Sequence, residues 1–144
     1  MWIFYGLASI GVICFLLNLM ICAGKDLMAP KIVLQQGWNV TVSGQTFTDV
    51  NLDTFRFHKL KKADKLTLET MLPEEWAYKS PVLCLPIRQT VVDLYLDDEL
   101  VYQYGQQRLA NNENVGNGLR FIHLNEDSVG KRLRIEFEIA EDYP

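Results

Sequence analysis

The sequence predicts an all-β domain, a sandwich or barrel of short strands, placed behind one apolar helix at the N-terminus. Three observations predict it. No Asp, Glu, Lys or Arg occurs between Met1 and Gly24, although the chain carries 14 Lys+Arg and 18 Asp+Glu. Beyond Gly37, apolar residues recur at every second position, the period of a strand with one buried and one wet face. Gly, Asn, Asp and Pro punctuate these runs at short intervals, as turns between short strands require.

The apolar segment comes first. A helix of about 22 residues reaches roughly 33 Å, enough to cross a hydrocarbon core of about 30 Å. Asn18 is its only strongly polar side chain, and Trp2 and Tyr5 suit a headgroup interface, where an amphipathic ring keeps its polar atom wet. Residues 1–24 are therefore read as a transmembrane helix or signal anchor whose partner is membrane lipid. A cleaved signal peptide is the competing reading. The small residues of Cys22-Ala23-Gly24 favour cleavage; the length of the apolar run and the lack of a basic N-terminal region oppose it. Lipid attachment at Cys22 is disfavoured by Ile21, where a small residue is expected. A buried globular helix would show a polar face, and this segment shows none. Lys25 and Lys31 taken alone would put the following residues in the cytoplasm. An all-β domain behind a start-transfer segment is an export arrangement, however, and long domains translocate largely regardless of charge. The expected localisation is the cell membrane, single-pass, with the soluble domain extracytoplasmic.

Residues 25–36 read as a tether, with Pro30 opposing helix continuation, and residues 37–144 as the β domain. The net charge of −4 lies wholly beyond the apolar segment. Val50-Asn51-Leu52-Asp53 alternates and Phe55 and Phe57 alternate around Arg56, so a strand is expected across 50–57. Leu66 to Met71 alternates again. In Val91–Leu96, Val92, Leu94 and Leu96 share one face, and Val91, Asp93 and Tyr95 the other. Arg132–Ile139 is the clearest strand: Leu133, Ile135, Phe137 and Ile139 oppose Arg132, Arg134, Glu136 and Glu138. Asp97-Asp98 marks a tight hairpin. About eight strands are expected in all, with a single helical turn at Pro73–Trp76 and a long irregular stretch from Gly105 to Gly118. Cys84 is the lone cysteine of the soluble part, so no internal disulfide can form there, and no Cys/His spacing suggests zinc. Within Val82-Leu83-Cys84-Leu85 it is expected to act as a small buried hydrophobe.

Catalysis finds little support. His58 and His123 are the only histidines. His123 is expected exposed on a strand. His58 stands beside Lys59, Lys61, Lys62 and Lys65, a basic cluster that could meet anionic lipid or an acidic ligand but reads more simply as a solvated turn. It lacks the interleaved aromatics of a nucleic-acid surface, so no nucleic acid is expected as a partner. The acid pairs Asp97-Asp98 and Glu74-Glu75 fall in turns. No phosphate loop, nucleophile elbow or metal-ligand set occurs, and no catalytic residue, cofactor or metal is assigned. Binding has better candidates. Trp76 and Tyr78 could stack on a sugar or another flat ligand, or Trp76 could plug the end of the sandwich. Arg108, Asn111, Asn112, Glu113 and Asn114 supply donors and acceptors of the kind a carbohydrate site uses. Arg88 and Gln89 form a third polar pair at a strand entrance. The expected ligand-binding set is Trp76, Tyr78, Arg88, Arg108 and Asn112. Asn39-Val40-Thr41 matches a glycosylation acceptor but falls in a strand.

The run Val91-Val92-Asp93-Leu94-Tyr95-Leu96-Asp97-Asp98-Glu99-Leu100-Val101-Tyr102-Gln103-Tyr104-Gly105 resembles a pattern of galactose-binding-like jelly rolls. With Val115–Leu124, Asp127 and Gly130–Ile135, it looks like the extracytoplasmic sensory regions at the N-terminus of bacterial membrane-bound signalling proteins, diguanylate cyclases and histidine kinases among them. The resemblance covers roughly residues 37–144. It implies a jelly-roll β-sandwich, a sensing or ligand-binding role without catalysis of its own, and an output domain outside this chain. It also implies a fragment of a longer receptor that stops about one strand short of the full jelly roll, since the chain lacks a Gly-Gly-Asp-Glu-Phe motif and a second membrane helix. The expected partner is an unknown small ligand or an envelope protein, with a homodimer compatible with either. The alternative expectation is a membrane-anchored carbohydrate-binding or protein-interaction module of an envelope enzyme.

Overall fold

A computed structural model describes residues 34–57, 60–74 and 81–142. The expected anchor at 1–24, most of the tether, His58, and Trp76 and Tyr78 lie outside the described residues. The chain divides into two units, residues 1–33 and 34–144, and the β structure lies in the second. No helix among the described residues is long and apolar enough to cross a membrane.

The domain is all-β. Its strands are β1 (Trp38–Val42), β2 (Gln45–Val50), β3 (Lys65–Met71), β4 (Val82–Arg88), β5 (Thr90–Leu96), β6 (Glu99–Tyr104), β7 (Asn117–His123) and β8 (Arg132–Ile139). One short helix, α1 (Gln106–Ala110), follows β6, and a 3-10 turn (Glu126–Ser128) precedes β8. Six strands form a large sheet in the order β2-β1-β3-β8-β5-β6, and β4 and β7 form a small second sheet. All pairings are antiparallel.

Alternation explains the layers. β8 is central in the large sheet, and its Leu133, Ile135 and Ile139 are no more than 3 % exposed. Leu133 and Ile135 pack with Val40 of β1, Leu68 of β3 and Leu94 of β5, and with Leu85 and Ile87 of β4 and Ile122 of β7. The two sheets thus share one apolar core. Each such side chain contributes about 1.5–3 kcal/mol relative to exposure.

Two tight hairpins set the register. Ser43 and Gly44, between β1 and β2, both take positive φ (50° and 79°), the twist that a two-residue hairpin favours. Asp97-Asp98 joins β5 to β6 as the sequence predicts, with Asp97 at φ 54°, a conformation that Asp tolerates. That turn is tied to the start of β8. Asp97 N–H donates to Arg132 O (2.7 Å), Asp97 Oδ1 accepts from Arg132 N–H (3.1 Å), and Arg132 pairs with Asp98 (2.8 Å).

Four expectations need correction. The strand expected at 50–57 stops at Val50, because Asn51 builds a turn: its Oδ1 accepts from Asp53 N–H (2.9 Å) and its carbonyl from Phe55 N–H (2.9 Å). Local side-chain bonds of this kind compete with a sheet ladder. Phe55 then stacks edge-on between Phe47 and Phe57. Cys84 is exposed rather than buried; Leu83, Leu85 and Ile87 take the inward parity of β4, which turns Cys84 outward. The Gly105–Gly118 stretch is not irregular throughout, since it holds α1 and the first two residues of β7. Finally, Val91 lies on the outer face as predicted but is only 5 % exposed, because the segment around Gly105 closes over it. A Cβ added at Gly105 would come within 2.8 Å of Val115 and 3.5 Å of Val91.

Candidate functional site

The chain crosses from the small sheet to the large one at a single residue, Gln89, between β4 and β5. Gln89 has φ 45°, a left-handed conformation that costs a residue with a Cβ about 1–2 kcal/mol. Hydrogen bonds hold it there. Its N–H donates to Gly116 O (3.0 Å) and to Asn117 Oδ1 (3.1 Å), and its carbonyl accepts from Ala140 N–H (2.9 Å). Its side-chain amide donates to Asn114 Oδ1 (2.9 Å) and accepts from Gly116 N–H (3.3 Å). One residue therefore joins the β4–β5 crossing, the 111–117 loop and the end of β8.

The loop after α1 is shaped locally. Asn112 takes φ 55° and its N–H donates to Leu109 O (3.1 Å), while Glu113 N–H donates to Arg108 O (2.8 Å). The Arg108 guanidinium donates to Asn114 O (3.3 Å), and the Asn111 amide to Glu113 Oε1 (3.4 Å). Across from this loop, the turn 61–64 is held against the end of β8. Ala63 N–H donates to Ile139 O (2.7 Å), Ile139 N–H to Asp64 O (3.0 Å), and Lys62 N–H to Asp142 Oδ1 (2.6 Å).

Between them lies a cleft of about 230 Å³ lined by Lys62, Gln89, Leu109, Asn112, Glu113, Asn114, Val115, Ala140 and Glu141. Leu109, Val115 and Ala140 supply apolar surface. Asn112, Glu113, Lys62 and Glu141 supply an amide, two carboxylates and an ammonium. Such a mixture of donors, acceptors and apolar surface suits one small polar molecule, such as a sugar ring or an amino acid.

The predicted residues part company here. Asn112 lines the cleft. Arg108 does not; it braces the loop through Asn114. Arg88 is exposed at the end of β4, its N–H donating to Thr90 Oγ1 (3.2 Å), and is not among the cleft residues. Trp76 and Tyr78 fall outside the described residues. Sequence reasoning set Lys62 aside as part of a solvated basic turn and did not single out Glu141; neither was placed with Asn112. No local signal could have found them, because long-range main-chain bonds bring the 61–64 turn to the end of β8. His123 is exposed on β7, as expected.

One further feature adjoins the cleft at Val115. Tyr104 of β6 donates its hydroxyl to Val115 O (2.6 Å), and the Arg120 guanidinium lies 4.1 Å from the Tyr104 ring centroid and donates to its oxygen. Arg120 Nε is buried with no hydrogen-bond partner. A larger, shallow depression of about 440 Å³ is lined by Phe47, Thr48, Val50, Asn51, Thr54, Phe55 and Arg56, and holds none of the predicted residues. Among the described residues, no group of three or more His, Cys, Asp or Glu could hold a metal ion. Comparison with known protein families, curated proteins and solved structures returned no match.

Proposed function

We propose that the β domain is a non-catalytic recognition domain of jelly-roll type. Residues 1–24 hold it on the extracytoplasmic side of a bacterial membrane, and it senses a small polar ligand on behalf of an output domain outside this chain. The observation that carries the reading is the cleft around Gln89. It joins three segments far apart in sequence, the 61–64 turn, the 112–115 loop and residues 140–141. A ligand bridging Asn112 and Glu113 to Lys62 and Glu141 contacts the segment that leaves β8. Ligand occupancy then favours one position of that segment over another, which is the differential affinity a sensor needs.

A thermal-shift screen of the full chain in detergent micelles against monosaccharides and amino acids tests this. At a ligand concentration of 100 Kd, stabilisation of about 2.7 kcal/mol is expected, and Asn112→Gly, which keeps the left-handed backbone at φ 55°, or Lys62→Ala removes it without lowering the unliganded midpoint. Absence of any shift, or a shift that survives both substitutions, contradicts the reading.

A second reading, a protein-interaction module of an envelope enzyme, is favoured by one specific observation. The outward face of the small sheet carries an apolar group between polar strand ends, with Val82, Leu119 and Phe121 at 46, 55 and 63 % exposure beside exposed Cys84 and Pro86.

A further inference from the structure

Among the described residues the small sheet has two strands, so β4 and β7 each have one edge that no described strand pairs. The pairing shows which main-chain groups face outward. Leu124 N–H donates to Pro81 O (2.9 Å) at one end of the ladder, and Gln89 N–H to Gly116 O (3.0 Å) at the other. Residues of an antiparallel strand alternate between bonding the partner and facing away from it. Counting by twos between those ends, Leu83, Leu85 and Ile87 bond Ile122, Arg120 and Gly118, their register partners. The main-chain groups of Val82, Cys84, Pro86 and Arg88 therefore point to one free edge, and those of Asn117, Leu119, Phe121 and His123 to the other.

The two edges are not equal. Pro86 lacks an N–H in the middle of the β4 edge, and Arg88 N–H is turned to Thr90 Oγ1; both block an added strand there. The β7 edge has no such interruption. Among the described residues, the one group that reaches it is Arg120 Nη1, 3.5 Å from Leu119 O, at the limit of a hydrogen bond. Charge adds a second observation. Arg120 points into the space between the sheets, opposite buried Leu85, and stacks on Tyr104 of edge strand β6. Its Nε is buried without a partner. Tyr102 and Tyr104, on the core side of β6, are only half-buried. The inter-sheet space beside β7 thus holds a cation stacked on the partly uncovered Tyr104 ring, and among the described residues no acid pairs with Arg120.

We propose that β7 accepts an extended strand from a partner protein, and that this strand carries an Asp or Glu in register with Arg120. The acid enters the inter-sheet space and meets the guanidinium. The neighbouring residues of the strand, opposite Leu119 and Phe121, are apolar and extend the outward apolar face. A second copy of this chain fits poorly. Two-fold antiparallel pairing of β7 about its middle would set Arg120 against Arg120, and like charges directly opposite disfavour pairing.

The test uses the full chain in detergent micelles and two synthetic peptides, Thr-Val-Val-Asp-Val-Thr-Thr and the same peptide with Lys for Asp. Binding is read by fluorescence anisotropy and amide hydrogen exchange. The Asp peptide is expected to bind at least tenfold more tightly and to slow exchange at Leu119 and Phe121 at least tenfold. Leu119→Pro, which removes an N–H from the free edge only, lowers affinity tenfold or more with the thermal midpoint retained. Arg120→Gln abolishes the preference for Asp over Lys. Equal binding of the two peptides, protection at Cys84 instead of Phe121, or peptide-independent protection of Leu119 and Phe121 in a dimer would each overturn the proposal.

Discussion

The two sheets obey the same alternation but finish their outer faces differently. In the large sheet most outward positions are polar and several bond one another, while Met71 and Leu100 stand exposed as single apolar residues. One row runs Thr41, Thr67, Glu136, Asp93, Gln103 across five strands, and the next runs Asn39, Glu69, Arg134, Tyr95. Gln103 donates to Asp93 (2.9 Å), Thr41 and Thr46 share a hydrogen bond (2.9 Å), and Arg134 pairs with Glu136 while lying 4.1 Å from the Tyr95 ring centroid. In the small sheet the corresponding positions are Val82, Cys84 and Pro86 on β4 and Leu119 and Phe121 on β7, with the polar Arg88, Asn117 and His123 only at the strand ends. Exposed apolar side chains grouped on one face mark a contact surface, whereas single ones do not. The large sheet presents a mainly polar face with scattered apolar residues; the small one presents its apolar residues as a group.

Substitutions sharpen that contrast, beginning with the shared core. Leu133→Ala, at a position with no exposure in the central strand, should cost about 2–5 kcal/mol in a denaturant titration. A loss below 1 kcal/mol would show that β8 is not the centre of the fold. Gly105→Ala comes next, because it meets Val115 at 2.8 Å and takes φ 90°. Strain there should cost about 1–3 kcal/mol, and a neutral result would mean that the cover over Val91 is loose. Gln89→Ala removes the two side-chain bonds to Asn114 and Gly116. It should cost about 1–2 kcal/mol in the same titration and should also weaken ligand binding, because the loop carrying Asn112 loses its anchor. The smallest effect belongs to the small sheet: Phe121→Thr on its outer face should change stability by no more than about 0.5 kcal/mol. A large loss would mean that this side chain is already packed.

Strands were readable from the sequence where one face is wet. Arg132–Ile139 carries alternating charge and coincides with β8, and the 66–71 and 91–96 patterns each fall one residue short of β3 and β5. β4 hid its period because both of its faces are apolar, and for the same reason Cys84 was misplaced. The break at Asn51 depends on a side chain bonding its own backbone, which polarity alternation does not report. α1 has no buried residue and so no amphipathic stripe to read. At the site, Asn112 was legible from loop composition. Arg108 was not distinguishable from a ligand contact, because its brace to Asn114 is a matter of loop geometry. Lys62 and Glu141 reach the cleft only through the pairing of the 61–64 turn with the end of β8.

The central claim is that recognition runs through the cleft around Gln89. Two-dimensional amide NMR of the full chain in micelles, titrated with the ligand that gives the largest thermal shift, tests it most directly. The account predicts saturable shifts at Gln89, Asn112, Glu113 and Ala140, with the outer face of the large sheet unmoved. Shifts confined to the Phe47–Phe55 depression, or none in the cleft, would contradict it.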